Sequence, residues 1–326
     1  MRISAIIGIA AAALALALTP ASAQTIYTGG KTGAYFGVLC PALVDGLRTE
    51  GFTPKCQETA GTLDNINKLI ADPNGIAFVQ GDAYANWAQA NPDQAKKFVI
   101  IRNDLASEGV YFVSKNQTQF ADVVRLITRV KIVLPPQTSG AAQTFENLKK
   151  VLPQVFTKVD ASQVTYTNSA AKAVDLALAN DNTLALFVQL PDPTNELFKT
   201  VIANKGHFIP LVARALLNQK VAGENVYTLE TRPVSAAGIL KSAVEVTTVA
   251  TPITIIAQSS DNIPDQGNAR VNHDDLIKII KSTPKDKLLP KSGPTASLFS
   301  RAFTATKETA ASLADKTEAA IKDITK

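Results

Sequence analysis

The chain has 326 residues, of which 46% are hydrophobic and 19% are charged, and its formal net charge is +5. This length predicts two domains and is sufficient to bury a large core without metal or disulfide staples. Two cysteines and two histidines exclude a disulfide-dense scaffold and leave little room for a metal cluster, while 33 basic against 28 acidic residues is too even for a nucleic-acid-binding stripe.

The first 23 residues have the pattern of a secretory signal peptide. Arg2 supplies the short basic region, residues 3–18 are almost wholly apolar, and Ala21 and Ala23 form an A-x-A cleavage site. The apolar run is shorter than the ~20 residues that a membrane-spanning helix needs. We therefore predict cleavage after Ala23 and a periplasmic location for the mature protein.

The two cysteines, Cys40 and Cys56, are predicted to form a disulfide with each other. Cys40 falls on the first predicted helix and Cys56 on the next predicted strand, and such neighbours can pack side by side. An oxidising compartment permits a disulfide between them. We expect this bridge, and two buried free thiols are the alternative. Neither cysteine has an evident histidine partner in the sequence, which argues against a catalytic thiol.

Strand and helix patterns alternate along the mature chain. In chain order, the predicted strands cover residues 25–28, 52–57, 75–80, 98–101, 110–114, 130–134, 164–166, 184–188 and 244–257. The predicted helices cover residues 35–47, 83–90, 139–152, 170–178 and 196–203, and one more begins at Thr62. Continuous apolar strands between amphipathic helices predict an α/β fold of two lobes, each a mostly parallel sheet flanked by helices.

Four loops at predicted strand ends are rich in glycine and polar residues, at 29–35, 59–65, 80–82 and 134–140. Ligands of open α/β sheets bind at the carboxyl ends of strands, against helix N-termini. In the first loop, Gly30, Lys31 and Thr32 are similar to part of a nucleotide phosphate-binding loop. That motif needs a glycine at position 25, which is threonine, so we reject a nucleotide site. A plain strand-to-helix turn is the alternative.

The second and third loops combine capping residues with an amide. Thr62 is a predicted N-cap, and its neighbours offer donors to an anion. Gln80 stands at the end of a buried strand, where its amide either binds a ligand or clamps two strands together. Asp82 is the predicted cap of the following helix.

The fourth loop joins a β-branched strand to the helix at 139–152. Thr138 and Ser139 would present hydroxyl groups to a ligand, and Gly140 would open the N-terminal turn of the helix. A pure capping role for Ser139 is the alternative.

Together these loops resemble the TAXI family, the extracytoplasmic solute-binding subunits of TRAP transporters. The matching runs are TGG and GAY within 28–35, TAGT with Asn65, VQGD at 79–82 and VLPPQTSG at 133–140. The resemblance extends over residues 25–152, and the strand at 244–257 fits a return crossing. It implies a type II periplasmic-binding-protein fold, in which two lobes joined by two crossing segments close on a ligand.

The resemblance also implies a function and a set of site residues. The protein would capture a small organic anion, a carboxylate or an amino acid, by hinge closure and deliver it to the permease subunits of a TRAP-type transporter. It assigns ligand binding to Gly30, Thr32, Tyr35, Thr62, Asn65, Gln80, Thr138, Ser139 and Gly140.

Lys31 and Gln189 are also predicted to bind the ligand, because of where they stand in the sequence. Lys31 stands where the family usually has a small or neutral residue, and it either strengthens anion binding or points to solvent. Gln189 and Asp192 follow the strand at 184–188 and come within reach of a ligand. A carboxylate at Asp192 would oppose an anion unless it binds an ammonium group, which leaves the class of ligand open.

No cofactor or metal is expected, and we predict a monomer without nucleic-acid partners. A ligand-sensing subunit of a membrane receptor, an ABC-type anion-binding protein and a secreted enzyme on the same fold are the alternatives. The enzyme alternative lacks a reacting group, because His207 and His273 lie in no nucleophile or metal motif.

The predicted domain boundaries follow from the two crossings, near residues 104–115 and 244–257. They are a signal peptide at 1–23, a first lobe at 24–109 and 250–298, a second lobe at 110–249 and a C-terminal helical tail at 299–326. Apolar residues recur at helical spacing in the tail. We expect the tail to dock on its own lobe, and a helix that docks on a partner is the alternative.

Overall fold

The computed structural model describes residues 24–31, 33–221, 224–237, 242–264, 268–291, 303–304 and 307–325. The predicted signal peptide and Thr32 lie outside these residues. Within the described ranges, no helix is both long enough and apolar enough to cross a membrane.

The strands of the described residues are β1 (Thr25–Tyr27), β2 (Lys55–Gln57), β3 (Ile76–Gln80), β4 (Phe98–Arg102), β5 (Ser107–Ser114), β6 (Lys131–Leu134), β7 (Val164–Tyr166), β8 (Thr183–Gln189), β9 (His207–Pro210), β10 (Lys220–Val221), β11 (Glu224–Asn225), β12 (Thr228–Pro233), β13 (Glu245–Gln258) and β14 (Phe303–Thr304). The α-helices are α1 (Cys40–Arg48), α2 (Thr62–Ala71), α3 (Gly81–Ala90), α4 (Pro92–Ala95), α5 (Phe120–Arg125), α6 (Gly140–Val151), α7 (Pro153–Phe156), α8 (Ala170–Ala179), α9 (Glu196–Ala203), α10 (Arg214–Leu217), α11 (Ala269–Ser282) and α12 (Lys307–Thr325). A π-helical turn, Tyr35–Leu39, leads into α1.

The strands assemble into two α/β lobes that share their central strands. The spatial order is β2-β1-β3-β13-β5-β8-β6-β7, with β4, β9, β12 and β14 attached beside this path. The outer strands pair in parallel, β2 with β1 and β1 with β3 in one lobe, and β7 with β6 and β6 with β8 in the other. The predicted mostly parallel sheets are therefore interrupted at the centre, where β5 and β13 run antiparallel to their neighbours.

The 14-residue strand β13 passes through both lobes. Its first half pairs with β12, its middle residues Ala250–Pro252 pair with β5, and its last residues pair with β3 and β4. A run rich in valine, threonine and isoleucine favours such a long strand, because β-branched side chains pack well on a pleated surface. Strands β5 and β13 lie at the centre of the strand order, between the parallel strands of the two lobes, and overlap the segments predicted as crossings.

Each lobe has its own apolar core. In the first lobe, one core cluster joins α1 and α11 to the sheet through residues such as Leu43, Phe78 and Leu276. In the second lobe, strand β5 serves two clusters, because successive side chains of a strand point to opposite faces. Phe112 packs on the side of α6 and α7, and Tyr111 packs on the side of α8 and α9.

The predicted disulfide is present in the structure, where Cys40 and Cys56 are bonded at an S–S distance of 2.02 Å. It joins the first residue of α1 to the middle of β2. Helix α1 follows the first glycine-rich loop, and β2 leads into the second loop. The bond therefore fixes the roots of two neighbouring loops to each other.

The C-terminal tail docks on the second lobe, as expected for a helix that covers its own protein. Helix α12 packs against α5 and α7, and Ala320 and Ile321 lie in the core of that lobe. The guanidinium group of Arg125 lies 3.7 Å from the Asp323 carboxylate at the same contact. The tail is not helical throughout, however, because β14 pairs with β12 as a short strand.

Reduction of the Cys40–Cys56 disulfide should lower the free energy of unfolding by about 3 kcal/mol. The bond closes a loop over a sequence separation of 16 residues, and a loop of this size restricts the unfolded chain by roughly that free energy. Urea unfolding with and without a reductant measures the change. The double variant Cys40→Ser/Cys56→Ser is the control, since its transition should not respond to the reductant. A wild-type midpoint that is unchanged after complete reduction would contradict the prediction.

Candidate functional site

Three of the four predicted loops meet where the two lobes touch. A Cβ atom placed on Gly61 would lie 3.3 Å from the Cα of Ser139, so the second and fourth loops are in backbone contact. Gly61 has a φ of +120°, a backbone conformation that favours glycine. From the third loop, Gln80 donates a hydrogen bond to the Gly140 carbonyl at 3.3 Å. These loops belong to different lobes and form one junction.

Asp82 is the buried centre of this junction. One carboxylate oxygen accepts hydrogen bonds from the Gln80 amide at 2.5 Å and the Ala83 N–H at 2.8 Å. The other accepts from the hydroxyls of Thr144 and Tyr227, each at 2.7 Å. Burial raises the pKa of Asp82, and the hydrogen bonds from Gln80, Tyr227 and Thr144 oppose this rise. The network joins α3 to α6, and thereby one lobe to the other.

Gln80 and Asp82 both belong to this network at the start of α3. Helix α3 begins at Gly81, with Gln80 in the N-cap position and no side-chain capping bond. The Gln80 amide also donates to the Thr144 hydroxyl at 2.5 Å, so it contacts both Asp82 in its own lobe and α6 in the other lobe. The prediction of Asp82 as the cap of this helix was wrong, because Gln80 holds the N-cap position. Two of the four hydrogen bonds to Asp82 come from neighbours in the sequence, and the other two come from the distant Thr144 and Tyr227.

Tyr35 and Glu108 form a second buried contact at this junction. The Tyr35 hydroxyl donates to Glu108 Oε2 at 2.5 Å. Glu108 lies near the start of β5 and is 6% exposed. Burial raises the pKa of Glu108, the Tyr35 hydrogen bond lowers it and the charge of Asp82 raises it, and together they bring it to about 8.

The sequence analysis missed Glu108. A single glutamate just before an apolar strand is usually a solvated strand end, and the strand was predicted to start at Val110. The structure shows instead that β5 begins at Ser107 and is buried along its whole length, so that Glu108 is a buried residue of this strand. A charged residue at an inward position of a crossing strand indicates a special environment.

Two of the predicted ligand residues hold the backbone in place. The Asn65 amide donates to the carbonyls of Thr28 and Phe78, and so connects the ends of β1 and β3. The Thr62 hydroxyl accepts from the Gln80 N–H at 3.1 Å. Thr62 is the first residue of α2 and Gly61 is its N-cap, so the predicted capping role of Thr62 was wrong.

The fourth loop has its predicted cap and an exposed neighbour. The Ser139 hydroxyl accepts from the Ala142 N–H at 3.2 Å and is the N-cap of α6. The capping role that the sequence left open for Ser139 is therefore observed. Thr138 is exposed beside it, and Gly140 is the first residue of α6.

The remaining predicted residues make contacts of other kinds. Gly30 is exposed, and the Lys31 ammonium group lies 3.6 Å from the Glu58 carboxylate, with both side chains in solvent. Gln189 ends β8 half-buried and pairs with Gly109 of β5. Asp192 accepts hydrogen bonds from Thr194 two residues later, a local turn at the start of α9.

Both histidines lie in other parts of the protein. His273 is fully buried in α11, with its ring nitrogens 2.9 Å from the Gln258 carbonyl and 3.3 Å from the Asn74 carbonyl. His207 is half-buried in β9 and pairs with Ser114. Among the described residues, no three His, Cys, Asp or Glu side chains are placed to hold a metal ion.

In comparisons with known proteins, this chain is similar to solved structures in its backbone but not to known sequences. No protein-family model matches the sequence, and no curated protein matches it. The solved structure of a periplasmic transporter protein is 12% identical, with a TM-score of 0.48, over 93% of this chain and 96% of that chain. MatC from Rhodopseudomonas palustris with bound malate is 12% identical, with a TM-score of 0.47, over 93% and 98% of the two chains. A structure described in work on glutathione import through GshT in Streptococcus mutans is 11% identical, with a TM-score of 0.48, over 88% and 98%.

The Glu108→Gln substitution should make the protein less sensitive to rising pH. The pKa of Glu108 is about 8 in the folded protein and about 4.5 without the fold, so between these values the folded state binds the additional proton. The free energy of unfolding then falls as pH rises from about 4.5 to about 8, and the glutamine variant lacks this contribution. Melting temperatures from pH 5 to pH 8.5 should decline less steeply in the variant.

Glu50→Gln is the control for this measurement, because it makes the same chemical change at an exposed glutamate. Its melting profile should parallel that of the wild type. Parallel profiles for Glu108→Gln and the wild type would contradict the buried environment of Glu108.

The Gly140→Ala substitution should destabilise the protein by about 1–3 kcal/mol, the usual cost of overpacking. A Cβ atom on Gly140 would clash with the Gln80 side-chain oxygen and lie 2.9 Å from its Cδ. Gly30→Ala is the control, since no atom lies within 4 Å of the added Cβ. Urea unfolding measures both variants. A Gly140→Ala protein as stable as Gly30→Ala would show that the third and fourth loops are not in contact.

Proposed function

We propose that the protein is a periplasmic solute-binding protein that captures a small ligand bearing a carboxylate between its two lobes. The observation that carries this proposal is the meeting of the predicted loops of both lobes at Gly61, Gln80, Ser139 and Gly140. Sites at the carboxyl ends of strands, beside helix N-termini, suit small anions. In this proposal the N-terminus of α6 receives the carboxylate.

Capture would occur by closure of the lobes. A ligand that contacts both lobes only when they are together shifts the population toward the closed form. The order of strands suggests where the motion is largest. Strand β3, which precedes Gln80, lies next to the crossing strand β13, whereas β2, which precedes Gly61, lies two strands farther out. The contact of Gly61 with Ser139 would therefore open most, and the Asp82 network near β13 would open least.

The proposed partners follow from the resemblance to the TAXI family. The ligand would pass from the protein, acting as a monomer in the periplasm, to the permease subunits of a TRAP-type transporter. We propose a binding role rather than catalysis, since both histidines lie away from the loop junction and the buried carboxylate of Asp82 is fully hydrogen-bonded.

A panel of small ligands tests the proposal by thermal unfolding. The panel contains L-glutamate, L-malate, succinate, phosphate and sulfate, with glucose and spermidine as controls. A ligand at 100 times its dissociation constant should stabilise the folded state by about 2.7 kcal/mol. We expect stabilisation by at least one carboxylate. Stabilisation by glucose or spermidine alone would contradict the proposal.

The Ser139→Trp substitution should abolish ligand-induced stabilisation, because an indole ring at the N-terminus of α6 would hold the second and fourth loops apart. Ser162→Trp is the matched control. Ser162 is exposed and precedes β7, so it lies at the opposite end of the sheet from the loop junction. The control should keep the full shift in melting temperature. An unchanged shift in the Ser139→Trp protein would place the ligand elsewhere.

A further inference from the structure

The carboxyl group of Glu108 is buried with half of its acceptor capacity unused. Tyr35 hydrogen-bonds to Oε2, and none of the described residues hydrogen-bonds to Oε1. The enclosed polar atoms without a partner in the described chain are Asn65 Oδ1, Asn74 Oδ1 and Tyr111 Oη. Glu108 Oε1 is not among them, so this oxygen keeps some accessible surface although the residue as a whole is only 6% exposed.

Among the described residues, no cation pairs with Glu108. The charged group that affects it is another carboxylate, Asp82, and this repulsion adds to the effect of burial in raising the pKa of Glu108. Lys31 is paired with Glu58 in solvent. A carboxyl group buried without a cation is normally neutral, and an arriving cation favours its ionised form.

The chain places an ion pair on the other face of the same strand. Ser107 and Glu108 are neighbours on β5 and therefore point to opposite faces. Ser107 donates to the Glu230 carboxylate at 2.7 Å, and Glu230 pairs with Arg232 at 2.8 Å. Strand β5 thus separates this guanidinium group from Glu108.

The face that carries Glu108 is the face of the loop junction. Glu108 is directly opposite Thr251 of β13, and residues paired in this way point to the same side of a sheet. The Thr251 hydroxyl accepts a hydrogen bond from the Asp82 N–H at 2.9 Å. Tyr35, from the first loop, reaches Glu108 on this side. The unpaired carboxyl group therefore lies between the predicted ligand loops and the crossing strands.

We propose that Glu108 binds the amino group of the ligand, so that the protein selects amino acids over the same carboxylic acids without an amino group. The inference rests on the proposed function and names the class of ligand within it. The ligand carboxylate would lie at the N-terminus of α6, and its ammonium group at Glu108 Oε1. Charge is balanced because the ammonium group replaces the proton on Glu108, which passes to solvent.

Titration calorimetry of the wild-type protein at pH 7 tests this selectivity with three pairs of compounds. The pairs are L-glutamate and glutarate, L-aspartate and succinate, and L-alanine and propionate, which differ by the amino group. In every pair with measurable binding, the amino acid should bind at least tenfold more tightly. Equal or tighter binding of the compound without an amino group overturns the inference.

The two proposals fail in different ways. If none of the six compounds binds but another small anion does, such as L-malate, phosphate or sulfate, the assignment of an amino group is overturned and solute binding stands. If neither these pairs nor the panel for the proposed function yields a ligand, both proposals are wrong.

The Glu108→Gln variant should reduce the preference within a pair from at least tenfold to less than threefold. Glu230→Gln is the matched control, because it removes a largely buried carboxylate on the other face of β5 and should keep the tenfold preference. Circular dichroism establishes that both variants are folded. A folded Glu108→Gln protein that retains the full preference overturns the inference.

A measurement on the wild type alone covers the case in which Glu108→Gln fails to fold. Binding of L-glutamate at pH 7 in phosphate and in Tris buffer should show release of close to one proton per ligand. Tyr35 and Asp82 face Glu108, and Tyr227 contacts Asp82. Burial raises the pKa of both tyrosines well above 10, so neither releases a proton at this pH. Binding without proton release overturns the inference.

Discussion

A carboxylate buried between two lobes must find hydrogen-bond donors there, and this requirement organises the protein around Asp82. Its donors come from the end of β3, from α6 and from the segment before β12, so residues up to 145 positions apart must assemble together. Removing a single donor would leave a buried acceptor unsatisfied, which is more costly than never having buried it. The network therefore holds α3 against α6 and sets the distance between the loops on either side.

The elements that the sequence predicts best are those in which the spacing of apolar side chains indicates which residues are buried. The run predicted as a strand at 244–257 is observed as Glu245–Gln258, because a segment rich in valine, threonine and isoleucine suits a strand. The helix predicted at 196–203 is observed as Glu196–Ala203. The proximity of the second and third loops follows from topology, since β2 and β3 both run parallel to β1 and the carboxyl ends of parallel strands lie at one edge of a sheet.

Roles that depend on distant partners could not be predicted. Gln80 and Asp82 have the residue types expected of a ligand site, but the sequence does not reveal that Thr144 and Tyr227 satisfy them. Strand β12 was missed because a segment with Glu230 and Arg232 has the composition of a solvated loop. Its charges are buried against Ser107 only after β12 pairs with β13.

Formation of the Cys40–Cys56 disulfide depends on the redox state of the compartment that holds the chain. Before the bond forms, contacts such as the 3.3 Å hydrogen bond from Thr59 N–H to the Gly29 carbonyl must hold the first two loops together without a covalent tie. A thiol-reducing cytoplasm would keep the precursor in that looser state. On the proposed export route, the covalent tie between the roots of the two loops would then form only after translocation.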